Sequence, residues 1–374
     1  KATLFSSKLV VIILPTEPTK LIPMIRIVVP PTLYELKPLY TLEMKPKDRL
    51  ELAQQLFLND SHLYTHLSKQ AHQHETGLDV YEAIQWDGFK LVAGRQGWGM
   101  FNPTRPIEGS RWLFEQYERL DIFRHIHDRL AVLVSAFTHP PLEQITCHLA
   151  HGDPCNRSLM AHNFGLTCFG GMAGVLFIQF WYSPLNLQRL DYALARGVIH
   201  TLRQAYTSNQ AFRTLGDCLV TEGLASHYLM QALPPSQHPA WGVVHAPPAD
   251  WEDALEQIAQ WRGEASYSDV YDNVYSQPVR IGEERAPLPL ALDDEELAYS
   301  YEVMQPYLAH THAPTLAACL YGDERIAQTG YPTFGLSPYA GFAVGHHLVG
   351  EWLRKHSQRA SDALAIPTAT FLSD

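Results

Sequence analysis

The stretch that most constrains the fold runs from Phe169 to Thr207. It opens "FGGMAGVLFIQFWYSP". The glycines at its start and the run "GVLFIQFWY" (174–182) read as a strand entered through a tight turn. Ser183-Pro184 ends that strand. "LNLQRLDYALARGVIHTLRQAY" follows as an amphipathic helix over 186–207, and after a short polar link a second helix spans 214–231. A strand handing its chain to two consecutive helices sets a mixed α/β body.

The flanks extend that pattern. Residues 25–29 are apolar and largely β-branched and read as a buried strand. Residues 47–72 read as a helix. Residues 110–137 read as one long or broken helix, with apolar positions every three to four residues. "HPPLEQITCHLAHGDPCNRS" reads as a loop, and the proline-rich segment 233–249 as an excursion. Helices are expected over 251–263, over 293–321 with breaks at Pro306 and Pro314, and over 337–357. Gly341 and Gly345 lie four apart, where another backbone can come close. Met24 opens "MIRIVVPP", so residues 1–23 are expected to lie outside the fold.

The second helix poses a chemical problem. Its apolar stripe is Leu215, Cys218, Leu219, Ala225 and Leu229, and Glu222 falls on it. A carboxylate on a core-facing stripe is costly unless a cation or donors meet it. On the helix before it, Arg196 and His200 share a face. A His on one helix and a Glu on the next, 22 positions on, can complete a three-ligand zinc set of the HExxH kind.

The resemblance then becomes broad. "CFGGMAGVLFIQFW", "LNLQRLDYALARGVIHTLR", "TLGDCLVTEGLASHY", "LYGDE", "SPYAGFAVGHHLVGEWL" and the tail "ATFLSD" together resemble a domain-of-unknown-function family of HExxH zinc-dependent proteases, gluzincin-like, from about Met24 onward. Carried over by position, the resemblance implies that His200 is the second zinc ligand and Glu222 the third. It also implies a conserved-type Arg at 203. The first ligand should be His where this chain has Arg196, and the general base should be Glu where it has Gly197. Two Tyr positions of the C-terminal segment are Phe342 and His346.

A guanidinium at 196 cannot ligate a metal, and its charge opposes one. Without a carboxylate at 197, nothing there takes a proton from an attacking water. Zinc is the cofactor the resemblance implies, and Arg196 argues against it. Arg196 is expected instead to reach Glu222 as the local cation. Restoring both residues, Arg196→His with Gly197→Glu, is expected to restore zinc binding if the rest of the site is intact. His346 or His347 could donate to a bound oxyanion, and His227, His346 or His347 could serve as a replacement ligand.

Other groupings carry less. Cys147, His148, His151 and Cys155 match no common zinc spacing. His62 and His66 read as a solvated helix face, His125 and His127 point apart, and His310 and His312 sit between two prolines. "FGGMAG" precedes a strand rather than a helix, unlike a phosphate cradle.

The formal charge of −11 argues against nucleic acid or an anionic membrane as partner. The run "LVVIIL" (9–14) is too short to span a bilayer. Five cysteines, an odd count with no CxxC pair, fit a reducing compartment and a cytoplasmic location.

The expectation is an α+β chain with a zincin-like metalloprotease fold. Its C-terminal half is mostly helical with a small sheet, divided as 24–165, an N-terminal α/β region, and 166–374, a protease-homology region. Strand 174–182 is expected at the cleft edge, open to an added peptide strand. Three functions compete. One is a peptidase-inactive homologue binding a peptide or protein segment in its cleft. The second is an active metallopeptidase with a replacement ligand and base. The third is a non-proteolytic enzyme reusing the cleft.

Overall fold

Every residue from Val175 to Phe180 is buried, because this strand has a neighbour on each side. The computed structural model describes residues 25–31, 34, 37–45, 47–49, 51–52, 108–138, 140–152, 159, 165–182, 184–207, 213–233, 292–326 and 332–373. The helix expected beyond residue 52, the His62–His66 pair, Cys155, the proline-rich excursion beyond Leu233, the helix at 251–263 and the segment 1–23 lie outside them.

The sheet has four strands: β1 (Arg26–Val28), β2 (Gln144–His151), β3 (Leu166–Met172) and β4 (Val175–Phe180), in the order β1-β2-β4-β3. β1, β2 and β4 are parallel, with Cys147 opposite Leu176 and His148 opposite Phe177. β3 turns back antiparallel along β4, with Cys168 opposite Ile178 and a register shift between Phe169 and Met172. A mixed α+β chain is therefore what this sequence forms.

Two expectations need correction here. The segment read as a loop after Phe137 contains β2. Its Cys, His, Gln and Thr obscure a strand whose residues after Gln144 are all buried. Strand 174–182 is interior, and the edge strand beside it is β3, built from the stretch taken for a glycine turn. The turn itself is shorter, Ala173-Gly174, with Gly174 at φ +77°.

The helices are α1 (Lys37–Thr41), α2 (Glu108–Arg119), α3 (Ile122–Val134), α4 (Pro184–Tyr206), α5 (Leu215–Ala232), α6 (Asp294–Met304), α7 (Ala313–Tyr321), α8 (Asp323–Ile326), α9 (Ala340–His356) and α10 (Thr368–Leu372). Of the one long or broken helix read over 110–137, the broken form is what occurs, with the break at Asp121, which takes a left-handed conformation, φ 46°. Pro306 lies in a 3-10 turn after α6, and Pro314 lies in the first turn of α7, where a missing N–H is harmless. Thr214 caps α5: its hydroxyl oxygen accepts from the Asp217 N–H, and Asp217 accepts from the Thr214 N–H in return, a capping box.

The main core joins the sheet, α3, α4 and the buried face of α5 to Trp352, Leu353 and Phe371. A second cluster forms where Leu215 and Leu219 meet Met304, Leu320, Ala340 and Val344. Among the described residues no helix is long and apolar enough to cross a membrane.

Candidate functional site

Two close backbone approaches set the site. The first seats α4 on the edge strand. A Cβ on Gly170 would stand 2.3 Å from the Gly197 carbonyl oxygen, and one on Gly197 would stand 2.5 Å from Cys168 Sγ and 3.2 Å from Leu176 Cδ2. The second crosses α5 over α9. A Cβ on Gly223 would stand 2.1 Å from the Gly345 carbonyl oxygen. Contacts this tight admit only glycine. They bring Arg196 and His200 of α4, Glu222 of α5 and Phe342 of α9 to one place.

Arg196 reaches Glu222, as expected. Its Nε–H donates to Oε2 at 2.9 Å and its Nη2–H to Oε1, a bidentate pair. The guanidinium carbon lies 5.8 Å from the centre of the Phe342 ring, within cation–π range. Glu222 is 7% exposed and Arg196 21%. Burial pushes the Glu222 carboxyl up, but Arg196 and then His200 outweigh it and hold it far below the usual carboxylate range. Burial works against the Arg196 charge, and Glu222 more than restores it. The pair is ionised.

His200 completes the group. Its Nε2 stands 3.2 Å from Glu222 Oε1, without the alignment of a hydrogen bond. Burial lowers its pKa, and Glu222 only partly offsets that. A neutral imidazole therefore faces a carboxylate already held by arginine.

Arg203, one turn past His200, is a strut. Its Nη1 donates to the carbonyls of Leu364 and Ile366, and its Nη2 to Thr368 Oγ1 at 3.1 Å. Thr368 in turn donates to Asp217. The segment 364–368, just before the "ATFLSD" tail, thus ties α4 to α5.

The other candidates stand elsewhere. His346 Nδ1 lies 2.6 Å from Ser226 Oγ, and its ring stacks on His227 at 4.0 Å. His227 Nε2 is 2.9 Å from the His346 carbonyl. Burial, then His227, lowers the His346 pKa to about 3. His347 pairs with Glu351 at 3.5 Å on the far turn of α9. Cys147 and His148 are buried in β2, and burial lowers the pKa of His151 to about 3. Among the described residues no three His, Cys, Asp or Glu side chains gather as a metal site.

A strand-edged helix bearing His200 and Arg203, and a next helix bearing Glu222–Gly223–Leu224–Ala225, are among the features the resemblance rested on. A family profile matches residues 123–270 and 274–373. The chain belongs to DUF2268, the family described as predicted Zn-dependent protease. The match begins within α3, downstream of Met24. The uncharacterized protein YjfC of Bacillus subtilis (strain 168) is 25% identical over 212 residues, 56% of this chain. Those residues are 54% of YjfC, so the chain matches about half the length of this relative. No solved structure matches the chain.

The residues at this site do not fit the zinc ion of the family description. Both oxygens of Glu222 are taken by Arg196, and arginine offers no lone pair to a metal. The position next to it is closed as well. With Cys168 Sγ where the Gly197 side chain would begin, a glutamate cannot project there while α4 rests on β3.

Sequence reasoning missed Arg213. It lies in the link between α4 and α5, where no periodicity marks it. Its Nε–H donates to Gln204 Oε1 at 2.8 Å, and its Nη2 is buried without a hydrogen-bond partner among the described residues. Burial lowers its pKa, against the fields of Cys218, Glu222 and Asp217.

Proposed function

We propose that this chain is a zinc-free, peptidase-inactive member of the family, with a zincin-like arrangement in which an ion pair replaces the metal. The observation that carries this is the bidentate Arg196–Glu222 pair. It satisfies the one buried carboxylate a zinc ion would need. The closed position at Gly197 supports the same reading, since a hydrolytic site also needs a base near its water.

The cleft serves binding in this proposal. β3 is one of the two edge strands of the sheet, and Phe169 on it is 50% exposed. An extended peptide or protein segment can add to such an edge by main-chain hydrogen bonds. The proposal gives His346 a packing role beside Ser226 and His227 rather than an oxyanion role. A replacement ligand from His227 or His346 gains no support, because their rings are engaged with each other and with Ser226.

The test is elemental analysis of the purified, untagged protein beside a His200→Ala control, followed by peptidase assays. We expect no stoichiometric zinc and no cleavage. Near-stoichiometric zinc that disappears in the control would overturn the proposal.

A further inference from the structure

We propose that the partly exposed surface at Arg196 binds a carboxylate-bearing ligand, with Arg196 and Arg213 as its two cationic donors; this rests on the zinc-free reading above. The first observation is an open edge on Arg196. Glu222 occupies its Nε and Nη2, and among the described residues its Nη1 has no hydrogen-bond partner. The side chain is 21% exposed, so those two N–H groups can receive an oxygen from a ligand.

The second observation is independent. Among the described residues Arg213 has one hydrogen-bond partner, the neutral Gln204, and a buried Nη2 with none. Arginine does not shed its charge inside proteins, and a buried, uncompensated charge is costly. Arg213 feels Glu222, Asp217 and the like charge of Arg196. Glu222 is already paired, and Asp217 accepts from Thr214 and Thr368. Among the described residues, Arg203, Arg196 and Arg213 bring three positive charges to a neighbourhood whose carboxylates are Asp217 and Glu222. One positive charge is left over, and an anion is what would neutralise it.

The ligand class follows from the surroundings. Guanidinium edges match a planar carboxylate in pairs. The wall beside Arg196 is aromatic: Phe342 lies 5.5 Å from Tyr321 and 5.6 Å from Tyr339, centre to centre. An acid with an apolar or aromatic substituent fits both halves. The C-terminus of a short peptide and a small free organic acid share this chemistry.

The experiment titrates the full chain, by calorimetry and by thermal shift, with four probes. They are N-acetyl-glycyl-phenylalanine as the free acid, its C-terminal amide, benzoate, and inorganic phosphate. We expect the acid to bind and to raise the melting temperature. The amide should bind roughly tenfold or more weakly, as loss of a charge-assisted hydrogen bond implies. Added salt should weaken the acid and leave the amide unchanged. Benzoate binding as well as the peptide acid identifies a small-acid site, and a clear preference for the peptide identifies a C-terminus site; both support the inference.

Arg213→Gln should abolish the difference between acid and amide, and Arg213→Lys should keep part of it. Should the variants fail to fold, the acid–amide comparison on the unaltered chain decides alone. Equal binding of acid and amide, phosphate binding as well as either acid, or no acid binding to a zinc-free preparation would overturn the inference and leave the zinc-free reading standing. Stoichiometric zinc would overturn both.

Discussion

Gly197 offers the sharpest test of how the site is closed. Replacing it with alanine puts a methyl group 2.5 Å from Cys168 Sγ and 3.2 Å from Leu176 Cδ2, where comfortable separations are about 3.5–4.0 Å. Overpacking of this size costs about 1–3 kcal/mol. Alanine on a helix returns up to about 1 kcal/mol relative to glycine. The expected net loss is about 1–2 kcal/mol. Cys168→Ala alone removes a buried sulfur and costs about 1 kcal/mol. In the double variant the new methyl enters the space the sulfur left. Its stability should lie within about 0.5 kcal/mol of the parent, so the two changes couple by about 2 kcal/mol. Urea unfolding of all four proteins measures this. Additivity within about 0.5 kcal/mol would refute the packing, because α4 would then be free to ride off β3 and position 197 would not be closed.

Three further outcomes follow from the same geometry. Glu222→Gln leaves Arg196 without its counter-charge and should lower stability by about 3 kcal/mol, read by urea unfolding; a change below about 1 kcal/mol would mean the pair is screened like a surface bridge. Arg196→His with Gly197→Glu should not gain stoichiometric zinc unless Cys168→Gly is added to make room, contrary to what the motif alone suggests; elemental analysis decides. His151 and His346 have pKa values lowered to about 3 in the fold, against about 6.5 when unfolded. The unfolded chain therefore binds protons first, and stability should fall as pH drops from about 6.5 toward 3. Asn at 346 should blunt the fall, and an unchanged urea midpoint between pH 7 and pH 4 in the parent chain would contradict the burial of both rings.

The central charge problem was legible in the sequence because it is a matter of helical phase. Glu222 shares a stripe with Leu219 and Ala225, and α5 does bury it. Arg196 and His200 are one turn apart on the preceding helix, and both meet it. Gly341 and Gly345 announced a close crossing, and α9 does come close there to Leu320 and Leu219. Two strands were not legible. β2 mixes His, Cys and Gln with its apolar residues, and its parallel neighbours, which bury both kinds, lie far off in sequence. β3 carries Gly170 where a helix backbone passes over it, while Gly171 faces the Phe169 ring, and local sequence shows the glycines without the helix. Arg213 was invisible for a related reason: its isolation is a property of what surrounds it in space.

In the zinc-free proposal, the departures at 196 and 197 also depend on each other. A buried Glu222 needs a cation whether or not metal is present. Arg196 provides one that is covalently attached. Gly197 then lets α4 settle against Cys168 and Leu176, which converts the space of a catalytic side chain into packing. Reversal in single steps is unfavourable in both directions. Histidine alone at 196 leaves the carboxylate unpaired until zinc arrives, and zinc at that point has no base beside it. Glutamate alone at 197 collides with β3 while Arg196 still blocks the metal. In that proposal the ion pair and the glycine contact together would hold the site away from hydrolysis more firmly than the loss of either residue alone.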